Sequence, residues 1–227
     1  MQNQEKKGGR QMNTNIIANP LETGTDELER LAFQEIVKRR RFGNAVNGLV
    51  LPSGNGELVI AMARLDCKVT AGDEAEQEKA LRGRVLAAGL RDDVHFVPFS
   101  FAELPEDIAG EPFDLIFCRR SLCSLPYDQA RKVVRQLLLR LKIGGKLFVS
   151  ALGLHSELGD DYPGGEQLLE QRFSALSPAM SRKYEIHSPV CLYSERNLFS
   201  LLMDAGGSVL RTFTSTHGNV KGIAVRV

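Results

Sequence analysis

The sequence predicts an α/β protein built on a doubly wound, mostly parallel sheet. Three observations carry this. From Asn47 onward, short apolar runs alternate strictly with helical stripes. The first run ends in a glycine turn, Leu51-Pro52-Ser53-Gly54-Asn55-Gly56, and the second ends in a carboxylate, Asp73. Strands that alternate with helices pair in parallel and are covered on both faces. Right-handed crossovers then put a ligand at the C-terminal strand ends, where the strand order reverses.

The elements follow in order. Residues 1–24 are polar and Gln/Asn/Lys-rich, and are expected to be a flexible segment. Residues 25–40 read as a helix, with Leu28, Leu31, Ala32 and Ile36 on one face. The run Lys38-Arg39-Arg40-Arg41 reads as a solvated helix end whose cations complement the dipole, or as a polyanion contact. Strands are expected at 47–51, 67–72, 94–97, 113–118 and 146–150. Helices are expected at 56–65, at 74–89 and, as a short piece, at 102–108. A further helix after Pro126 carries Ala130, Val133, Val134, Leu137, Leu138 and Leu141 at a 3.6-residue period, and Gly144-Gly145 is expected to stop it. The stretch 153–192 breaks the alternation and is too long for a plain connection. Ser194 then caps a helix with Leu198, Leu201, Leu202 and Ala205 on one face, and strands at 209–214 and 221–227 bring the count to seven.

Composition bounds the function. A hydrophobic fraction of 43% supports a sizeable core, and one domain over 25–227 is expected. The net charge of +1 argues against a nucleic-acid partner. No apolar run reaches the roughly 18 residues of a membrane span, and no signal peptide is visible. Cys67, Cys118, Cys123 and Cys191 form no Cys-x-x-Cys pair, so reduced thiols and a cytoplasmic location are expected.

The turn and the acid suggest a nucleoside. Gly54 and Gly56 let backbone approach a ligand where a Cβ would collide. A helix starting near Glu57 would aim its first amides at that ligand. Asp73 can accept ribose hydroxyls, or else cap the helix that follows. A nicotinamide dinucleotide is disfavoured, because Val59 stands where its fingerprint wants a small residue.

Pro52-Ser53-Gly54-Asn55-Gly56 followed by Asp73 resembles the first motif of class I S-adenosylmethionine-dependent methyltransferases, in its P-x-G-x-G form. Val50 departs from it, since the family usually has Asp there. Pro112-Phe113-Asp114-Leu115-Ile116, Leu141-Lys142-Ile143-Gly144-Gly145-Lys146-Leu147 and the segment from Ser194 to Ala205-Gly206-Gly207 resemble later family segments in order and spacing. The resemblance implies a Rossmann-like sheet whose last strand is antiparallel. It implies S-adenosylmethionine as cofactor and S-adenosylhomocysteine as product. Pro52, Ser53, Gly54, Asn55 and Gly56 would pass under its methionine and ribose, Asp73 would hold the ribose, and Glu74 would border the adenine. Ser100, Phe101 and Ala102 would meet the adenine, Phe101 alternatively being core packing. Cys118 and Arg119 would line the methionine end, Arg119 pairing with a carboxylate or standing as an exposed loop arginine.

The resemblance further implies that 153–192 is an insertion on the substrate side. His155 is the candidate general base, with a surface histidine as the alternative. Asp160 and Asp161 are too few for a metal site, and none is expected. The favoured activity is methyl transfer to an oxygen or nitrogen of a small-molecule acceptor. RNA or protein methylation and a non-catalytic cofactor-binding module remain as alternatives.

Overall fold

Asp26 opens the first helix among the described residues by accepting a hydrogen bond from the Glu29 amide at 2.9 Å. The computed structural model describes residues 26–100 and 104–227; the segment 1–24 and the sites Phe101 and Ala102 lie outside the described residues. Helix α1 runs Glu27–Arg41, followed by β1 (Val46–Leu51), α2 (Glu57–Ala63), β2 (Cys67–Asp73) and α3 (Glu78–Ala87). Strands β3 (Val94–Pro98) and β4 (Phe113–Arg119), helix α4 (Tyr127–Leu139) and strand β5 (Leu141–Ala151) come next. Helices α5 (Pro178–Tyr184) and α6 (Glu195–Asp204) precede β6 (Ser208–Thr214) and β7 (Val220–Val225).

The seven strands lie in the order β3-β2-β1-β4-β5-β7-β6. β1 pairs in parallel with both β2 and β4, and only β7 runs antiparallel to its neighbours β5 and β6. The order therefore reverses between β1 and β4, which fixes the ligand edge at their C-terminal ends. Each face has its own core. Leu28, Ile36, Val50, Met62, Leu81 and Phe117 belong to the α1–α3 face. Leu49, Ile116, Cys118, Val134, Leu147 and Leu201 belong to the α4–α6 face, together with Tyr162, Tyr184 and Tyr193 from around the insertion. The four cysteines are buried and unpaired, and burial pushes the Cys118 thiol up to about 12.

Three expectations need correction. Helix α4 stops at Leu139, five residues short of Gly144, and Leu141 is already in β5. Gly144-Gly145 instead serves a bulge in β5, where the pairing jumps from Phe113↔Leu141 to Leu115↔Lys146. Gly144 sits at φ 76°, and a Cβ on Gly145 would lie 2.8 Å from the Lys142 carbonyl oxygen. The short helix expected at 102–108 does not form over its described part, 104–108. Arg140 from the end of α4 donates to the carbonyls of Pro105 and Glu106, holding this stretch in an irregular course. The helix expected from 74 starts only at Glu78, after a 3₁₀ turn over Ala75–Gln77.

At the basic end of α1, Lys38, Arg40 and Arg41 are exposed as expected, but Arg39 is not. Arg39 turns inward to Glu35 at 2.8 Å and to Asp114 at 3.0 Å, and donates to the Gly144 carbonyl at 2.7 Å. Lys146 reaches Glu35 at 2.5 Å and Lys142 reaches Asp114 at 2.8 Å. This network ties α1 to the N-terminal edge of β4 and β5. Burial acts to raise the Glu35 pKa, but the bonds from Lys146 and Arg39 outweigh it and hold the carboxyl below its ordinary 4.5. A depressed folded pKa contributes stability above the unfolded value that is lost as pH falls. Glu35→Gln should therefore cost about 1–3 kcal/mol near neutrality. The difference from wild type should shrink below about pH 4, as read by urea unfolding along a pH series. A difference that stays constant through the acid range would contradict this assignment.

Candidate functional site

The glycine turn and the acid meet through hydrogen bonds. The Ser53 amide donates to the Gly72 carbonyl at 2.9 Å, laying the turn along the end of β2. The Ser53 hydroxyl donates to Asp73 Oδ2 at 2.9 Å, and the Gly54 amide donates to the same oxygen at 3.0 Å. Asp73 Oδ1 accepts from the Glu74 amide at 2.9 Å. Asp73 is only 5% exposed; the bond from Ser53 is buried and those from the Gly54 and Glu74 amides are partly buried. The capping alternative for Asp73 fails, because Gln77 holds the N-cap position of α3.

The turn needs its glycines. Gly54 has φ 53° and Gly56 has φ 79°, the left-handed region that side chains avoid. A Cβ on Gly56 would also approach Leu81 Cδ1 of α3 to 2.6 Å. Pro52 and Ser53 are buried, whereas Asn55 is exposed at the tip. Asn55 Oδ1 accepts from the Glu57 amide at 3.2 Å, and its carbonyl accepts from Arg84 of α3. Helix α3 therefore braces the turn with Leu81 from beneath and Arg84 at the tip.

The remaining sites spread along the strand ends. Glu74 is half-buried beside Asp73, and Ser100 is exposed two residues past β3. The Phe99 amide donates to the Asp73 carbonyl at 2.9 Å, and a Cβ on Gly72 would come within 2.6 Å of the Phe99 ring. Phe96 and Phe117 are buried on the α1–α3 face, Phe117 stacking on Phe148 with centroids 6.2 Å apart. Phe99 packs against the opposite core, and Gly72 was the available signal for its close approach.

Cys118 and Arg119 do not act as a pair. The Cys118 side chain is fully buried, its thiol 3.8 Å from Ser121 Oγ on the α4–α6 face, so only its backbone reaches the ligand edge. Arg119 points to the other face, where it forms an ion pair with Glu29 of α1 and lies 5.7 Å from the Phe117 ring centre. It is a strand-end residue engaged by α1, not an exposed loop arginine, and a cofactor carboxylate would compete with Glu29 for it. His155 is exposed in the turn after β5. β5 lies two strands from β1, about 10 Å across the sheet.

The insertion is built, not loose. Arg172 is 8% exposed and donates to the carbonyls of Gly164, Gln167 and Leu192 and to Asn197 Oδ1 of α6. The Tyr162 hydroxyl donates toward the carbonyls of Val190, at 2.6 Å, and Arg172. Tyr184 of α5 donates to Glu157 at 2.6 Å, tying the helix to the turn beside His155. Phe173, Met180 and Leu154 are partly buried against the same core. Asp160 and Asp161 are both exposed.

This architecture, with a glycine turn hydrogen-bonded to the acid of the next strand, belongs to a known class. Residues 49–145 match the family model described as a methyltransferase domain. The match spans β1 to β5 of the sheet, and the fold of the whole chain is that of solved methyltransferase structures. Among solved structures, the CcbJ methyltransferase from Streptomyces caelestis is 17% identical, with 90% of this chain and 91% of that one covered and a TM-score of 0.63. An O-methyltransferase family protein from Burkholderia thailandensis is 18% identical, with 88% and 56% covered and a TM-score of 0.60. SpnF, a [4+2]-cyclase, is 20% identical, with 84% and 61% covered and a TM-score of 0.58. The chain thus spans little more than half the length of several of these structures. No curated protein sequence matches it. Among the described residues, no helix is long and apolar enough to cross a membrane.

Proposed function

We propose that the chain transfers a methyl group from S-adenosylmethionine to an oxygen or nitrogen atom of a small-molecule acceptor. The observation that carries this reading is the meeting of the Ser53–Gly54 turn with the Asp73 carboxylate at the β1/β4 switch point. The residues suit the group: at Gly56 a side chain would be strained and crowded, and at the end of β2 Asp73 presents a side-chain oxygen acceptor, Oδ1, that receives only the Glu74 amide. The cofactor when bound supplies an electrophilic methyl group on a sulfonium, and leaves as S-adenosylhomocysteine.

The protein's part is binding, orientation and exclusion of water. Gly54, Asn55 and Gly56 pass under the methionine and ribose, with Pro52 and Ser53 fixing the turn. Asp73 accepts from the ribose, and Glu74 borders the adenine with Ser100. Arg119 and the backbone at Cys118 lie toward the methionine end. In-line displacement needs mainly a near-attack geometry between acceptor and methyl carbon. The insertion 153–192 covers the acceptor. His155, at the start of that insertion, takes the acceptor proton. The likeness to an O-methyltransferase family protein supports an oxygen acceptor.

The test is transfer of label from methyl-labelled S-adenosylmethionine to a panel of phenols, carboxylic acids and amines. Labelled product with one acceptor class, reduced by His155→Ala at unchanged cofactor affinity, is expected. One observation favours a second reading, a cofactor-binding module without turnover: Val50 is buried, so β1 brings no carboxylate to the turn. Tight cofactor binding with no transfer to any acceptor would favour it.

A further inference from the structure

The Asp73 carboxylate is used unevenly. Oδ2 receives two donors, Ser53 Oγ at 2.9 Å and the Gly54 amide at 3.0 Å, whereas Oδ1 receives one, the Glu74 amide at 2.9 Å. Each carboxylate oxygen offers about two lone-pair sites. Those on Oδ2 are therefore filled from within the protein, and one on Oδ1 is left. Ser53 is itself 4% exposed and its backbone is fixed on Gly72, so its hydroxyl is held toward Asp73. Val50, the apolar residue at this place in β1, is 1% exposed, and the Ser53 hydroxyl and Gly54 amide bond to Asp73 at the end of β2.

We infer that Asp73 offers the ribose one oxygen rather than two, and that Ser53 is a positioning residue which makes nucleoside recognition depend on a single ribose hydroxyl. The inference rests on the cofactor reading above. Two hydroxyls bound by one carboxylate need both oxygens open. With Oδ2 engaged by Ser53 and Gly54, one hydroxyl donates to Oδ1 and the other finds no acceptor on Asp73. Removing the Ser53 hydroxyl reopens one site on Oδ2 and gives the second hydroxyl a partner.

Calorimetric titrations with S-adenosylhomocysteine and its 2′-deoxy and 3′-deoxy analogues test this on the wild-type chain and on Ser53→Ala. In wild type, one analogue should bind about tenfold or more weakly than the parent, and the other within about threefold. In Ser53→Ala, the formerly tolerated analogue should also fall behind the parent, and Ser53→Thr, which keeps a hydroxyl, should retain the wild-type pattern. A general loosening of the turn would weaken all three ligands alike and leave their ratios unmoved. Equal losses for both analogues in wild type would overturn the inference without help from any variant, and so would an unchanged pattern in Ser53→Ala. If the parent does not bind wild type at all, the cofactor reading itself fails, a result distinct from either of these.

Discussion

Asp73→Ala should abolish measurable S-adenosylhomocysteine binding and also weaken the fold. The side chain accepts three hydrogen bonds while 5% exposed, so its removal strands the Ser53 hydroxyl and the Gly54 and Glu74 amides. Losing the acceptor of such bonds costs about 2–4 kcal/mol, less whatever water recovers in the space left. Binding should fall by about 100-fold or more, because the ribose acceptor and the shape of the turn go together. Urea unfolding and calorimetry on the same preparation separate the two losses. A variant that unfolds like wild type and still binds would show that Asp73 neither shapes the turn nor holds the ribose.

The second large effect is expected far from the turn. Arg172→Met removes a buried guanidinium that gathers Gly164, Gln167, Leu192 and Asn197. The apolar replacement fills part of the volume but leaves four acceptors without their donor, a cost of about 2–4 kcal/mol concentrated in the insertion. Rapid proteolytic cleavage within 153–192 should follow, while the β1–β4 half stays resistant. Methyl transfer should fall with S-adenosylhomocysteine affinity nearly unchanged, since no contact of Arg172 reaches the glycine turn. Equal losses of transfer and of cofactor affinity would contradict the assignment of the insertion to the acceptor side.

Much of this fold could be read along the chain because its signals are local. The α4 stripe from Ala130 to Leu138, the Ser194 cap and the turn–acid spacing each lie within a few residues or one βαβ unit, and each appears where the sequence placed it. What escaped is long-range. Arg39 meets Asp114 across 75 residues and the Gly144 carbonyl across 105, and no periodicity announces such partners. The α1 partner of Arg119 could not be read along the chain because Glu29 stands far upstream. Gly144-Gly145 carried a true signal, glycine at positive φ, but that signal does not distinguish a helix stop from a strand bulge. The insertion was opaque because backbone carbonyls gathered by Arg172 and Tyr162 hold it together, and carbonyls are the same at every residue. In the site itself, the turn and the acid were legible, while the Ser53 hydroxyl between them was not.

The most direct measurement is calorimetric titration of the wild-type chain with S-adenosylmethionine and S-adenosylhomocysteine, alongside NAD and NADP. Saturable one-to-one binding of the first two, and none of the nicotinamide cofactors, is the expected result. A folded protein that binds neither S-adenosylmethionine nor S-adenosylhomocysteine would contradict the account at its centre, and binding of NAD instead would replace it with a dehydrogenase reading.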